Sequence, residues 1–303
     1  MLFDLHRQVV EQQLSRHAAA VARARVEDLG AAEVVGIDRD PSALELARPV
    51  LAGTGATVHL AHAGFDAIDE VLDDAGIDDV AGVLIDLGIS SMHVDRPERG
   101  FSYAHEGPLD MRMDPPSGAP VADLVNGAPA QELARIITRF SEERFASRIA
   151  NAIVAARPLT TTTELAAVVR DAIPAAARRT GPHPATRTFQ ALRIAVHDEL
   201  TALEACLPRA LDRLVTGGVC VVIAYHSLED RIVKRAFVEA ATGCVCPPGL
   251  PVCVCGRTPA FERITRGAER PSADEVQHNP RSRSARLRAV RRLPPTSTDQ
   301  GPS

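Results

Sequence analysis

Two carboxylates stand at the ends of short apolar runs, and that placement suits ligand chemistry. Asp38 closes Glu33-Val-Val-Gly-Ile-Asp38, and Asp86 closes Val80-Ala-Gly-Val-Leu-Ile-Asp86. If each run is a buried parallel strand, each acid faces the crevice beyond a strand's carboxyl end, where open α/β sheets hold ligands. A carboxylate there accepts both hydroxyl protons of a ribose diol, so Asp38 is a candidate nucleotide ligand. Asp40, directly before Pro41, reads equally as a helix cap. A third run, Gly217 to Ala224, leads into Tyr225 and His226, whose rings could stack on a base. Arg231, Lys234 and Arg235 follow at a spacing that suits a backbone phosphate. The same segment also reads as a capped helix, with Ser227 as N-cap and Asp230 as its reciprocal partner. His183 to Arg193 brings Arg187 and Arg193 together with Thr, Gln and Phe189. That mixture suits an RNA surface, with Arg on phosphates and Phe on a base face, or an amphipathic helix packed on the sheet.

Cysteines form the remaining cluster with chemical potential. Cys244-Val-Cys246 and Cys253-Val-Cys255, separated by six residues that include three prolines and Gly249, offer four thiolates to zinc. Unligated surface thiols are the alternative, because a one-residue spacer is tighter than the usual two. A disulfide is less expected in a cytoplasmic protein.

The elements that must position these groups alternate. Pro41 to Ala47 reads as a helix after the first strand, Val58 to Ala61 as a second strand and Phe65 to Ala75 as a helix before the third strand. This is the pattern of a doubly wound α/β sheet. From about Glu106 to Leu200 the chain turns to alanine-rich helical segments, among them Ala130 to Phe140, Glu142 to Ala156 and Thr163 to Ala172, with no strand candidate. Ala285 to Val290 alternates and suits a terminal strand at an antiparallel edge. The chain has 303 residues, 45% of them hydrophobic and 24% charged, enough for two folding units. No run of eighteen apolar residues and no secretory leader pattern occurs, so a cytoplasmic location is expected. The net charge of −5 argues against a protein that coats nucleic acid, yet ten arginines between Arg257 and Arg292 face only four acids. That stretch is a candidate phosphate-binding surface, or only the mark of an arginine-rich composition in which Lys234 is the one lysine.

Taken together the motifs are no longer generic. Gly36-Ile-Asp-Arg-Asp-Pro41, Ile85-Asp-Leu-Gly-Ile-Ser-Ser91, Glu98-Arg-Gly-Phe-Ser102, Gly107-Pro-Leu-Asp-Met-Arg-Met-Asp-Pro115, Glu142-Glu-Arg-Phe145, His183 to Arg193 and His226 to Lys234 occur in this order. From residue 34 to about 292 the chain resembles the RsmH/MraW family of S-adenosylmethionine-dependent small-subunit (16S) rRNA cytosine-N4 methyltransferases. The resemblance implies an α/β fold: a class I methyltransferase (Rossmann-like) sheet with an inserted all-helical domain. It implies methyl transfer from S-adenosylmethionine to the N4 amine of a cytidine in the decoding region of 16S rRNA, on the small ribosomal subunit. By matching motif, Asp38 would hold the cofactor ribose, Phe65 would lie at the adenine, Asp86 would border the cofactor, and His93 stands where relatives often have glutamine. Asp86, Tyr225 and His226 are the candidate catalytic groups. Arg187, Arg193, Arg231 and Lys234 are the candidate RNA contacts. A dinucleotide-dependent oxidoreductase would fit the alternation and Asp38, but neither the helical insert nor the motif string.

One departure bears on activity. Relatives open with a strand and a glycine-rich loop ending in Gly-Gly-His-Ser, whereas residues 1–33 hold one glycine, Gly30, and read as a long helix. The expected domains are an atypical helical segment at 1–33, the methyltransferase domain at 34–105 and 201–292, the helical substrate-recognition insert at 106–200 and a disordered tail at 293–303. The expected fold therefore lacks the N-terminal strand and glycine loop. This implies a misassigned start or frameshift, an RNA- or ribosome-binding relative with impaired catalysis, or cofactor binding by a new N-terminal helix. On the sequence as written, weak cofactor binding or none is expected.

Overall fold

A computed structural model describes residues 33–53, 55–178, 183–247 and 254–295. The expectations for residues 1–32, including the helical reading and the missing strand and loop, lie outside the described residues, as does the tail from 296 onward. The elements run β1 (Glu33–Asp38), α1 (Pro41–Leu51), β2 (Thr57–His62), a 3-10 turn (Phe65–Ala67), α2 (Ile68–Asp74) and β3 (Val80–Asp86). Helices follow: α3 (Ser91–Asp95), α4 (Val121–Gly127), α5 (Ala130–Ser141), α6 (Ala146–Ala155), α7 (Thr162–Ala172) and α8 (Thr186–His197). The chain then forms α9 (Glu199–Asp212), β4 (Leu214–Ala224), α10 (Ser227–Ala240), β5 (Phe261–Arg263), α11 (Ala273–His278) and β6 (Arg286–Arg292).

Two compact units result, one of Met1–Gly88 with Leu200–Ser303 and one of Ile89–Glu199. In the first unit β1 and β2 pair in parallel, Asp38 opposite His62. A second sheet has the order β3-β4-β6-β5, with β3 and β4 parallel and β6 antiparallel to both β4 and β5. β4 is buried on both faces, which explains its unbroken apolar sequence. Cys220 and Val222 pack with Leu203, Leu207 and Leu211 of α9, while Val221 and Ile223 pack with Leu287 and Ala289. β6 is therefore an internal strand and not the edge that its alternation suggests. The edge is β5, whose three residues are too few to show a period in sequence.

The helical unit closes around stripes at the helical spacing. Leu133, Ile136 and Ile137 of α5 meet Ile149 and Ile153 of α6 and Leu165 and Val169 of α7 in one core. Glu142 takes a left-handed φ of 52° and ends α5, so the helix read as starting at Glu142 begins instead at Ala146. Thr161 and Glu164 form the capping box of α7. This unit begins at Ile89, earlier than the expected residue 106, because Ile89, Phe101 and Tyr103 belong to its core.

The string Gly107 to Pro115 gains a structural reason here. A Cβ on Gly100 would fall 2.2 Å from the Pro108 carbonyl oxygen, and one on Gly107 would fall 1.9 Å from that of Pro97. Two backbones thus touch at positions that admit no side chain. Arg99 Nη2 donates to the carbonyls of Arg112 (3.1 Å) and Met113 (2.7 Å), and Arg112 pairs with Asp110 at 2.7 Å. Buried Met111 offers its carbonyl to His197 Nε2 at 2.6 Å.

Leu207 is 0% exposed in the sheet unit's core. Leu207→Ala is expected to cost about 3 kcal/mol through lost transfer energy and a residual cavity, measured by urea unfolding. A cost below about 1 kcal/mol would show that the core around α9 is not packed as described.

Candidate active site

Each parallel pair brings its two carboxyl ends to the same side, and the candidate groups collect there. At the end of β1, Asp40 is fully buried and caps α1 through Ser42 N–H (2.9 Å), and its own N–H donates to Asp38 Oδ1 (2.7 Å). Burial raises the Asp38 carboxyl above its ordinary value, against the lowering effect of that N–H. The turn after β2 is tied to the same place. Ala63 N–H donates to the Asp38 carbonyl (3.1 Å), and Arg39 pairs with Asp66 (3.2 Å), directly beside Phe65. Phe65 packs partly buried on the sheet unit's core. An acid at one strand end and an aromatic face at the neighbouring one form a donor set that fits a nucleoside: diol to carboxylate, base to ring.

Asp86 and Tyr225 meet at the ends of β3 and β4. The strands are in register with Asp86 opposite Ile223, and the Tyr225 hydroxyl donates to Asp86 Oδ1 at 3.0 Å. Crowding by protein pushes the Asp86 carboxyl up to about 7, with Tyr225 opposing the shift and Glu229 adding to it. The residue keeps surface open to solvent, which tempers that displacement. The Tyr225 phenol is raised by burial and by Asp86, so it stays a hydrogen-bond donor.

Behind this pair lies Glu229, a residue the sequence reading passed over. It is 2% exposed, and its Oε2 accepts the backbone N–H groups of Tyr225 (2.8 Å) and His226 (3.2 Å). His226 returns the bond: its Nδ1 accepts Glu229 N–H at 3.3 Å, and Nε2 lies 3.1 Å from Glu229 Oε1 without hydrogen-bond alignment. His226 is therefore the N-cap of α10, in place of Ser227, and Glu229 is the reciprocal partner, in place of Asp230. With its side chain only 9% exposed, His226 is set as a cap and not as an open clamp for a base. The signal available in sequence was the three-residue offset from His226 to Glu229. Asp230 instead accepts from Arg288 (2.7 Å) and Arg286 (3.1 Å) and joins α10 to β6. Burial alone would raise its carboxyl, but the two guanidiniums outweigh it and hold the pKa low.

The other candidates are dispersed. His93 lies in the helical unit, 4% exposed, with Nδ1 accepting Ser90 N–H at 3.2 Å and its ring 4.8 Å from Phe101. Arg187 is half exposed beside Glu143 (3.4 Å). Arg193 is turned inward onto Glu199 (3.0 Å) with 12% exposure, and Phe189 is buried in the helical core, so neither presents an RNA surface. Arg231 and Lys234 are exposed on α10. In the arginine-rich stretch, Arg286 and Arg288 serve Asp230, Arg291 serves Glu262, and Arg292 donates to the carbonyls of Asp212 and Leu214. Arg263, Arg266, Arg270 and Arg283 remain exposed. Cys244, Cys246 and Cys255 gather their thiols, while Cys253 lies outside the described residues.

Parallel α/β strand pairs with a nucleoside-type ligand set at their carboxyl ends, and a helical unit inserted in the sequence between β3 and β4, fit the class of Rossmann-like methyltransferases. The chain belongs to the MraW methylase family, whose model matches residues 17–293. The match begins well before Glu33, which corrects the expectation that similarity starts there. Similar proteins named Ribosomal RNA small subunit methyltransferase H include that of Mycobacterium sp. (strain KMS), 53% identical over 88% of this chain and 72% of the relative. The Acidothermus cellulolyticus protein is 52% identical over 92% and 84%, and that of Geobacter sp. (strain M21) is 51% identical over 86% and 84%. These comparisons lend no support to a catalytically impaired relative. No helix among the described residues is long and apolar enough to cross a membrane.

The Asp86 shift makes a signed prediction. Its native pKa lies above the ordinary 3.8, at about 7, so over that interval the native state holds a proton that the unfolded chain has released. The contribution to stability is present in full below about pH 4 and is lost as pH rises toward about 7. Asp86→Asn should flatten this slope in urea midpoints, and Tyr225→Phe should move the Asp86 carboxyl titration, followed by NMR, to higher pH. Identical slopes in wild type and Asp86→Asn would show that the carboxyl is not perturbed.

Proposed function

We propose that this chain transfers the methyl group of S-adenosylmethionine to the N4 amine of a cytidine in the decoding region of 16S rRNA, acting on the small ribosomal subunit in the cytoplasm. The observation that carries the reading is the Asp86–Tyr225 pair at the carboxyl ends of two adjacent parallel strands, in a chain of the MraW methylase family. The cofactor supplies a methyl group already activated on a sulfonium. A cytosine amine is a poor nucleophile because its lone pair is delocalised into the ring, so the protein's work is positioning and proton acceptance.

Asp38 holds the ribose diol, and Phe65 takes the adenine face. Asp86 accepts an N4 proton as the amine becomes tetrahedral. A carboxylate has room for about four hydrogen bonds, and Tyr225 occupies one of them. A pKa near neutrality suits this task, since the group can gain and release a proton at working pH. Tyr225 holds the carboxylate in place, and Glu229 holds Tyr225 through its backbone. The cytosine must leave its stack to reach this pair. Exposed Arg231 and Lys234 of α10 and Arg187 of α8 serve as phosphate contacts, and the helical unit recognises the RNA.

The test is methyl incorporation from labelled S-adenosylmethionine into unmethylated small subunits, with the product nucleoside identified by mass spectrometry. Wild type should yield N4-methylcytidine at a rate that rises with pH to a plateau above about 7. Asp86→Asn should lose roughly a hundredfold or more in kcat, and Asp38→Ala should weaken cofactor binding by about tenfold. No cofactor binding by calorimetry, or methylation at another atom, would overturn the assignment.

A further inference from the structure

Between α10 and β5 the chain runs from Ala241 to Ala260 without a helix or strand among its described residues. Loops of this length without secondary structure are uncommon inside a compact unit and are usually functional or linker segments. The fastening visible here is a set of thiols. The Sγ atoms of Cys244, Cys246 and Cys255 all lie within 4.8 Å of one another, and Cys244 and Cys255 are 3.7 Å apart. A tetrahedral zinc with bonds of about 2.3 Å to sulfur requires neighbouring sulfurs about 3.8 Å apart. A disulfide requires about 2.05 Å. The Cys244–Cys255 separation of 3.7 Å matches an edge of the zinc tetrahedron, and Cys246 lies within 4.8 Å of both.

The residues between and after the cysteines agree with this reading. Val245 and Val254 are 56% and 79% exposed, the most exposed large apolar side chains among the described residues. In Cys244-Val245-Cys246 alternate side chains point to opposite sides of an extended backbone, so convergence of those two thiols turns Val245 outward. Cys244 and Cys255 are themselves exposed and Cys246 is half-buried, so the thiols gather at the surface, on a loop and not in a core. Gly256 directly after Cys255 has φ +60°, a left-handed conformation that a side chain would strain. Arg257 then donates to the Glu239 carbonyl at 2.9 Å, which fixes the loop's return against the end of α10.

The geometry points to a structural zinc site on Cys244, Cys246 and Cys255 that fastens the loop between α10 and β5, separate from the Asp86–Tyr225 pair. Binding releases the thiol protons and leaves no position that the methyl-transfer reading needs.

The test uses the full chain, purified in reducing buffer without chelators, with zinc itself as the probe. Elemental analysis should give about one zinc per chain, released by a mercurial thiol reagent. The double variant Cys244→Ser/Cys255→Ser should hold less than about a tenth of that. Cobalt in place of zinc should show the intense visible bands of tetrahedral thiolate coordination. Removing zinc from the wild type should speed tryptic cleavage at Arg257 by about tenfold or more, while far-UV circular dichroism stays unchanged. Wild type with no more zinc than the variant, thiols found oxidised to a disulfide, or a cleavage rate indifferent to zinc would each overturn the proposal. None of these readouts depends on methyl transfer.

Discussion

Parallel strand pairing imposes one constraint from which the site follows: both strands of a pair must end on the same side. Because β3 and β4 run together with Asp86 opposite Ile223, residues that follow β4 arrive beside the acid that closes β3. The hydroxyl of Tyr225 then needs no long reach to find Asp86. β1 and β2 obey the same rule and bring Asp38 close to the turn that holds Phe65. The chemistry rests on side chains, but their convergence is a property of backbone direction.

Glu229 shows how a buried charge is made tolerable in such a place. Its carboxylate takes two backbone N–H groups and faces the His226 ring, so its burial is compensated on the spot. The same bonds fix the turn that aims Tyr225. A capping box, ordinarily a device for starting a helix, here also sets the position of a candidate catalytic group. Asp230, one residue later, faces away to Arg286 and Arg288 and anchors the helix to β6. Two adjacent acids thus divide the holding of the site from the holding of the scaffold.

Much of this was legible in sequence. Strands ending in Asp38 and Asp86 announced themselves by apolar runs closed by an acid, and β4 by a run buried on both faces. Capping at α10 was legible in kind but displaced by one residue, because Ser227 is the commoner cap and histidine rarely plays that part. Three-residue β5 left no period to read, so β6 was mistaken for an edge. Arg193 and Phe189 looked like RNA contacts because composition does not reveal direction. One turns to Glu199 and the other into the helical core. The family's similarity reaches into residues 17–32 although they hold a single glycine, so a glycine pattern does not reveal it.

The backbone contact at Gly100 and Gly107 has a consequence for how such sequences are recognised. The most diagnostic string in the chain, Gly107 to Pro115, is constrained because two segments cross without room for a side chain and because Arg99, Asp110 and Arg112 bind the crossing together. Its residue types answer to a close crossing of two backbone segments. The string therefore reports on the path of the backbone, and the reaction depends on residues elsewhere in the chain. Descent and chemistry are written in different places, the first at this crossing and the second where Asp86 meets Tyr225.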